Sequence, residues 1–128
     1  MTRAQLQRFK GLLEGELNAA ALRVAQSRQN LSVDHSADAL EETCLNLDRE
    51  LAFASLSRDS DVLREIRSAL TRIDDGNFGM CVSCGDEIGV KRLNAVPWTS
   101  LCIHCQEAAD REEVDSQESL RGIHANAA

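Results

Sequence analysis

Cys81-Val82-Ser83-Cys84 and Cys102-Ile103-His104-Cys105 are two Cys-x-x-Cys turns separated by seventeen residues, and they decide the fold of the C-terminal part of this 128-residue chain. Each turn sets two thiolates on one side of a tight bend, and Gly85 can take the left-handed backbone that such a bend often needs. Together the four sulfurs make one tetrahedral zinc site. Protein sulfur fills every position and leaves none for water or substrate, so the metal is expected to be structural and the chain not an enzyme. A redox dithiol would come as a single Cys-x-x-Cys beside a βαβ pattern, which is absent, and disulfides would need an oxidising compartment. There is no apolar signal stretch, membrane-spanning run or acylation motif, and a reduced cytoplasmic location is expected. Cys44 lies on an apolar helical position and reads as a small core residue. His35 and His124 read as solvated loop and tail residues, and His104 is surplus to four thiolates.

Working outward, the chain has three Phe, one Trp and no Tyr, too few aromatics for a large globular core. Its single proline, Pro97, lies between the cysteine turns, which leaves the first eighty residues free of the strongest helix breaker. Leu6, Phe9, Leu13, Leu17, Ala20, Val24, Ser27 and Leu31 recur every three or four residues, the seam of a coiled-coil helix. A second seam runs through Leu40, Cys44, Leu47, Leu51, Ala54, Arg58, Val62, Ile66, Ala69 and Ile73. Between them Ser32-Val-Asp-His-Ser-Ala-Asp38 carries turn and cap residues, too short a link for anything but an antiparallel hairpin.

The expected class is therefore mainly α: a long antiparallel coiled-coil hairpin, a small four-cysteine zinc-finger module and a C-terminal helix. The coiled-coil finger takes residues 1–76, with helix 1 about 2–31, a tip loop about 32–38 and helix 2 about 38–75, stopped by Gly76. The zinc module takes 77–106, a helix 107–121, and a frayed tail 122–128. Helices of roughly 30 and 35 residues extend roughly 45–50 Å, which makes a rod.

The net charge of −7 is unevenly spread: residues 1–31 carry +3, 32–80 carry −6, 81–105 are neutral and 106–128 carry −4. DNA binding draws its affinity from Lys and Arg neutralising phosphates, and no basic patch is present. Protein partners are favoured.

Ala69-Leu-Thr-Arg-Ile-Asp-Asp-Gly-Asn-Phe-Gly-Met-Cys81, Cys84-Gly-Asp-Glu-Ile-Gly, Arg92-Leu, Pro97 and Cys102-Ile-His-Cys105-Gln resemble the DksA/TraR zinc-finger signature. Gln5-Leu-Gln-Arg-Phe-Lys-Gly-Leu-Leu-Glu14 is similar to the start of that family's coiled coil. The resemblance does not include the N-terminal extension of the family's longer members. The resemblance implies a zinc base carrying a finger that enters the secondary channel of bacterial RNA polymerase and regulates initiation without binding DNA. Such proteins often act with the alarmone guanosine tetraphosphate in the stringent response.

The family's tip carries Asp-x-x-Asp-x-Ala, and the matching positions here hold Asp38, Glu41 and Thr43. The first acid is kept and the second becomes Glu. The same pair also suits a helix cap, with Asp38 accepting from a backbone N–H and Glu41 reaching back. Arg58 matches a family Arg that contacts the polymerase rim, and an arginine snorkelling from an interrupted heptad would look the same. Lys91 and Arg92 either contact polymerase or cover the zinc module. Alarmone-responsive members place cations where this chain has Glu65, Val96 and Gln106, so weak or absent alarmone dependence is expected.

Two other readings compete. A zinc-finger DNA-binding transcription factor needs a basic helix after the last cysteine, whereas Glu107 to Glu118 holds six acids and only Arg111. A channel-binding stimulator of transcript cleavage would recruit Mg²⁺ through Asp38 and Glu41.

Overall fold

The computed structural model describes residues 1–31 and 39–126, and among these all side chains except those of 39–43, 45 and 122–126. Four helices follow one another: α1 (Arg3–Leu31), α2 (Ala39–Asp75), α3 (Val90–Ala95) and α4 (Ile103–Asn126). Among the described residues there is no strand, only an isolated antiparallel bridge between Met80 and Glu87.

α1 starts at a reciprocal cap, in which the Gln5 N–H donates to Thr2 Oγ1 at 3.2 Å and the Thr2 N–H to Gln5 Oε1 at 2.9 Å. These bonds satisfy donors that a helix start otherwise leaves open. α1 and α2 then pack against each other as an antiparallel pair about 44 and 55 Å long. The α1 seam is as expected: Phe9, Leu13, Ala20 and Val24 are buried, and Leu6, Leu17, Ser27 and Leu31 are half-buried.

The α2 seam holds only near the base. Ile66 and Ala69 are buried and Ile73 half-buried, but Leu47 and Leu51 are 59% and 63% exposed, and Ala54 and Arg58 are exposed as well. The side turned to α1 in the outer half holds Ala52, Ser55, Leu56 and Asp59. The expected seam took three consecutive steps of four residues, from Ile66 through Val62 and Arg58 to Ala54. Each such step turns the stripe about 40° around the helix, whereas packed helices alternate steps of three and four. Alternation leads from Ile66 to Val62, Asp59, Ser55 and Ala52. Arg23 of α1 confirms the register across the interface, with its Nε 3.8 Å from Asp59 Oδ1. The same rotation overturns the core assignment of Cys44, whose thiol is exposed.

α2 ends in a Schellman turn. The Asn77 N–H donates to Arg72 O at 2.9 Å and the Gly76 N–H to Ile73 O at 3.2 Å, with Gly76 at φ +80°. The chain then enters the zinc module, and the two parts share one core. Phe9 of α1 meets Phe78 with ring centroids 5.4 Å apart. Leu13, Ile66, Leu93 and Ile88 extend this plug from the rod into the module. α3 was not anticipated: six residues give too short a window for periodicity to register. α4 begins inside the second cysteine turn and reaches Asn126, longer at both ends than the expected 107–121 helix.

Truncating the fully buried Ile66 to Ala is expected to cost about 2–5 kcal/mol, and the exposed Leu51→Ala less than about 0.5 kcal/mol, in urea unfolding followed by circular dichroism. Equal costs would return Leu51 to the seam.

Candidate metal centre and partner surface

The first cysteine turn is built by backbone bonds. The Gly85 N–H donates to Cys81 O at 3.0 Å, and Gly85 takes φ +78°, where a side chain would be strained. The Cys81 N–H then donates to Asp86 O at 2.8 Å, and the Ile88 N–H to Gly79 O at 2.7 Å. The second turn is tied to the first where the Val82 N–H donates to Ser100 O at 2.9 Å, and it runs directly into α4.

These constraints bring Cys81, Cys84, Cys102 and Cys105 together, with all four Sγ atoms within 4.8 Å of one another. The Sγ atoms of Cys84 and Cys102 are 3.7 Å apart. Zinc–sulfur bonds of about 2.3 Å put the corners of a regular tetrahedron about 3.8 Å apart, so the cluster has the size for zinc. Cys81 and Cys102 are buried, Cys105 half-buried and Cys84 exposed.

The thiols share their protons unequally. Backbone N–H groups, that of Cys102 foremost and then that of Cys84, hold the Cys81 thiol down to about 6. At Cys84 the Asp86 N–H pulls downward, but desolvation and the neighbouring thiols outweigh it and push the group up to about 12. Cys105 is raised chiefly by Cys102. The Cys81 thiolate thus forms readily, whereas Cys84 and Cys105 resist ionisation while no cation balances them. A bound Zn²⁺ would supply that balance.

Two arginines brace the segment that leads into the second turn. Arg92 of α3 donates from Nε to Leu101 O at 3.0 Å and from Nη2 to Thr99 Oγ1 at 3.3 Å. Arg72 of α2 donates from Nη2 to the Trp98 and Thr99 carbonyls, both at 3.4 Å, and from Nη1 to Ser68 Oγ at 2.9 Å. Burial lowers the Arg72 pKa, and Glu65 acts the other way. Thr99 is the buried polar residue among those described, and it is satisfied by Arg92 and by its own bond to Leu101 O at 3.3 Å. Sequence reasoning missed Arg72 and Thr99. Arg72 lies within the signature stretch, but neither residue has a spacing that announces its bonds to backbone carbonyls of the module.

Asp38 lies outside the described residues, as do the side chains of Glu41 and Thr43. Arg58 is exposed near the middle of α2, and Lys91 is exposed on the module. Lys91, Arg92, His104, Asp86 and Val96 line an open cavity of about 630 Å³ beside the cysteine cluster. No described helix is long and apolar enough to cross a membrane.

A family profile described as prokaryotic dksA/traR C4-type zinc finger matches residues 76–111, which include all four cysteines. Over 116 residues the chain is 32% identical to the RNA polymerase-binding transcription factor DksA of Salmonella typhimurium, covering 88% of this chain and 76% of that protein. This chain belongs to the DksA/TraR family. The Escherichia coli DksA is 31% identical over the same coverage. Among solved structures, transcription factor DksA2 from Pseudomonas aeruginosa matches with a TM-score of 0.73 at 27% identity, covering 88% of both chains. The DnaK suppressor protein of Agrobacterium tumefaciens matches at 0.55 and 29% identity, over 80% of this chain and 91% of that one. The DksA/TraR zinc finger thus ends inside α4, and the structural likeness extends over the hairpin as well.

A thiol reagent is expected to find one fast cysteine, Cys44, in zinc-loaded protein, and the other four only after chelation. Lowering the pH from about 7.5 to about 5.5 should release the metal, because protons compete for the thiolates it needs. Circular dichroism should then show the rod retained while the module unfolds. Metal retained at low pH, or five equally reactive thiols in loaded protein, would contradict this account.

Proposed function

We propose that this protein is a bacterial RNA polymerase-binding transcription factor that modulates initiation by placing its coiled-coil finger in the polymerase secondary channel. The observation that carries the reading is the 32% identity over most of both chains to a protein named for polymerase binding. A rod about 55 Å long with an acidic outer segment suits a narrow channel better than it suits a duplex. The zinc module is the base that stays outside. It holds one structural Zn²⁺ through Cys81, Cys84, Cys102 and Cys105, which leaves the ion no open position and the protein no catalytic role of its own.

In this reading Asp38, Glu41 and Thr43 form the working tip. Arg58, exposed near the middle of α2, meets the channel rim, and Lys91 extends the contact from the base. Arg92 contributes mainly from within, since its guanidinium is engaged by Leu101 and Thr99. The protein acts in the cytoplasm, where polymerase is. Guanosine tetraphosphate, if it binds at the shared interface, meets few cations: Glu65 is exposed and acidic, Val96 is apolar, and Gln106 donates to Asp110 at 3.0 Å. Weak or absent alarmone dependence follows. Direct DNA binding is disfavoured by α4, whose exposed surface after the last cysteine is acidic.

The test is initiation in vitro on an unstable promoter with purified cognate polymerase. Wild-type protein should change initiation with no shift of free promoter DNA. Asp38→Asn keeps a capping acceptor and removes the charge, and it should abolish the effect on initiation while leaving polymerase affinity unchanged. Unaltered activity in that variant would reduce Asp38 to a helix cap.

A further inference from the structure

The rod and the zinc module are joined covalently only through residues 76–78, at a turn whose Gly76 has φ +80°. Length magnifies any looseness there. A tilt of about 10° at the base moves the far end of a helix about 55 Å long by about 10 Å. The apolar plug of Phe9, Phe78, Ile66 and Leu93 holds the two parts together, but apolar contact is non-directional and tolerates tilt. Directional bonds across the junction come from two arginines. Arg8 of α1 donates to Asn94 Oδ1 at the exposed end of α3. Arg72 of α2 is half-buried and reaches the consecutive carbonyls of Trp98 and Thr99, and its own carbonyl accepts the N–H of Asn77 beyond the hinge.

We infer that Arg72 is a positioning residue: its guanidinium, with Nη2 shared between the Trp98 and Thr99 carbonyls and Nη1 on Ser68, sets the angle between the coiled-coil rod and the zinc module. Three features support an orienting role over simple adhesion. The planar fork fixes direction as well as distance, which a single ammonium cannot do. Ser68, one turn back on α2, holds the other arm of the fork at 2.9 Å, so the guanidinium is itself oriented. The carbonyls it grips sit just ahead of Cys102, on a segment that Arg92 and the Val82 N–H hold from the module side. Rod and module therefore bond to the same short stretch of backbone. The inference rests on the channel reading, because only a finger that must arrive at a defined place while its base is held elsewhere needs a fixed angle.

Residual dipolar couplings of backbone amides in full-length, zinc-loaded protein test it. In the wild type one alignment tensor should fit both α2 and the module. In Arg72→Gln, with helicity and zinc content preserved, the two parts should need separate tensors. Arg72→Lys, which keeps charge and stem and serves should the Gln variant unfold, should lie between. In parallel, if the competent angle falls to about a tenth of the population, polymerase affinity should fall about tenfold. A single tensor in the variants, even with a lowered unfolding midpoint, overturns the assignment by making Arg72 a purely stabilising residue. Separate tensors with undiminished polymerase binding overturn it too, by showing that the angle is immaterial. Wild-type protein that fails to bind polymerase removes the functional reading instead, and the tensors still decide what Arg72 does.

Discussion

Four sulfur atoms held within 4.8 Å of one another are the constraint on which the base of this molecule depends. Between residues 76 and 102 the chain forms one bridge, one six-residue helix and a series of turns, too little regular structure to hold itself by hydrogen bonding. What it has is a cluster with the donors and size for zinc, where neighbouring thiols and burial raise Cys84 and Cys105, a cost that a bound cation would offset. Metal binding and local folding are then one event. Everything attached to that cluster inherits its geometry: α4 starts within the second turn, and the segment gripped by Arg72 and Arg92 ends at Cys102.

The hairpin obeys a different economy. Near the base it is a normal coiled coil, with Phe9, Leu13, Ile66 and Ala69 buried and the aromatic pair locking it to the module. Farther out the facing positions of α2, Leu56 apart, become small or polar, while Leu47, Leu51 and Phe53 look outward. Helix propensity and the Arg23–Asp59 pair do more of the holding there, and a half-exposed pair of that kind contributes little.

Much of this was readable from sequence where a local rule applied. The cysteine spacing predicted the cluster, the α1 periodicity predicted which residues are buried, and Gly76 and Gly85 took the backbone their positions required. The α2 seam was misread beyond Val62 because apolar residues were followed where they occur, not where the heptad carries the interface. Leu47 and Leu51 drew the stripe away from Ser55 and Asp59. Arg72 and Thr99 were illegible for another reason: their roles come from contacts with carbonyls 26 or 27 residues away in one case and a single loop in the other, which no spacing encodes.

The outward weakening of the α2 seam has a consequence for how the rod spends free energy. Burial is concentrated at the end that stays with the base, so the hairpin is a graded structure, and local opening should begin at its outer part and stop before the aromatic plug. The packed foundation at the base is thereby separated from an outer half that is held by fewer buried contacts. Leu47, Leu51 and Phe53 lie exposed on this less tightly packed part, so apolar area there adds little to the stability of the isolated hairpin.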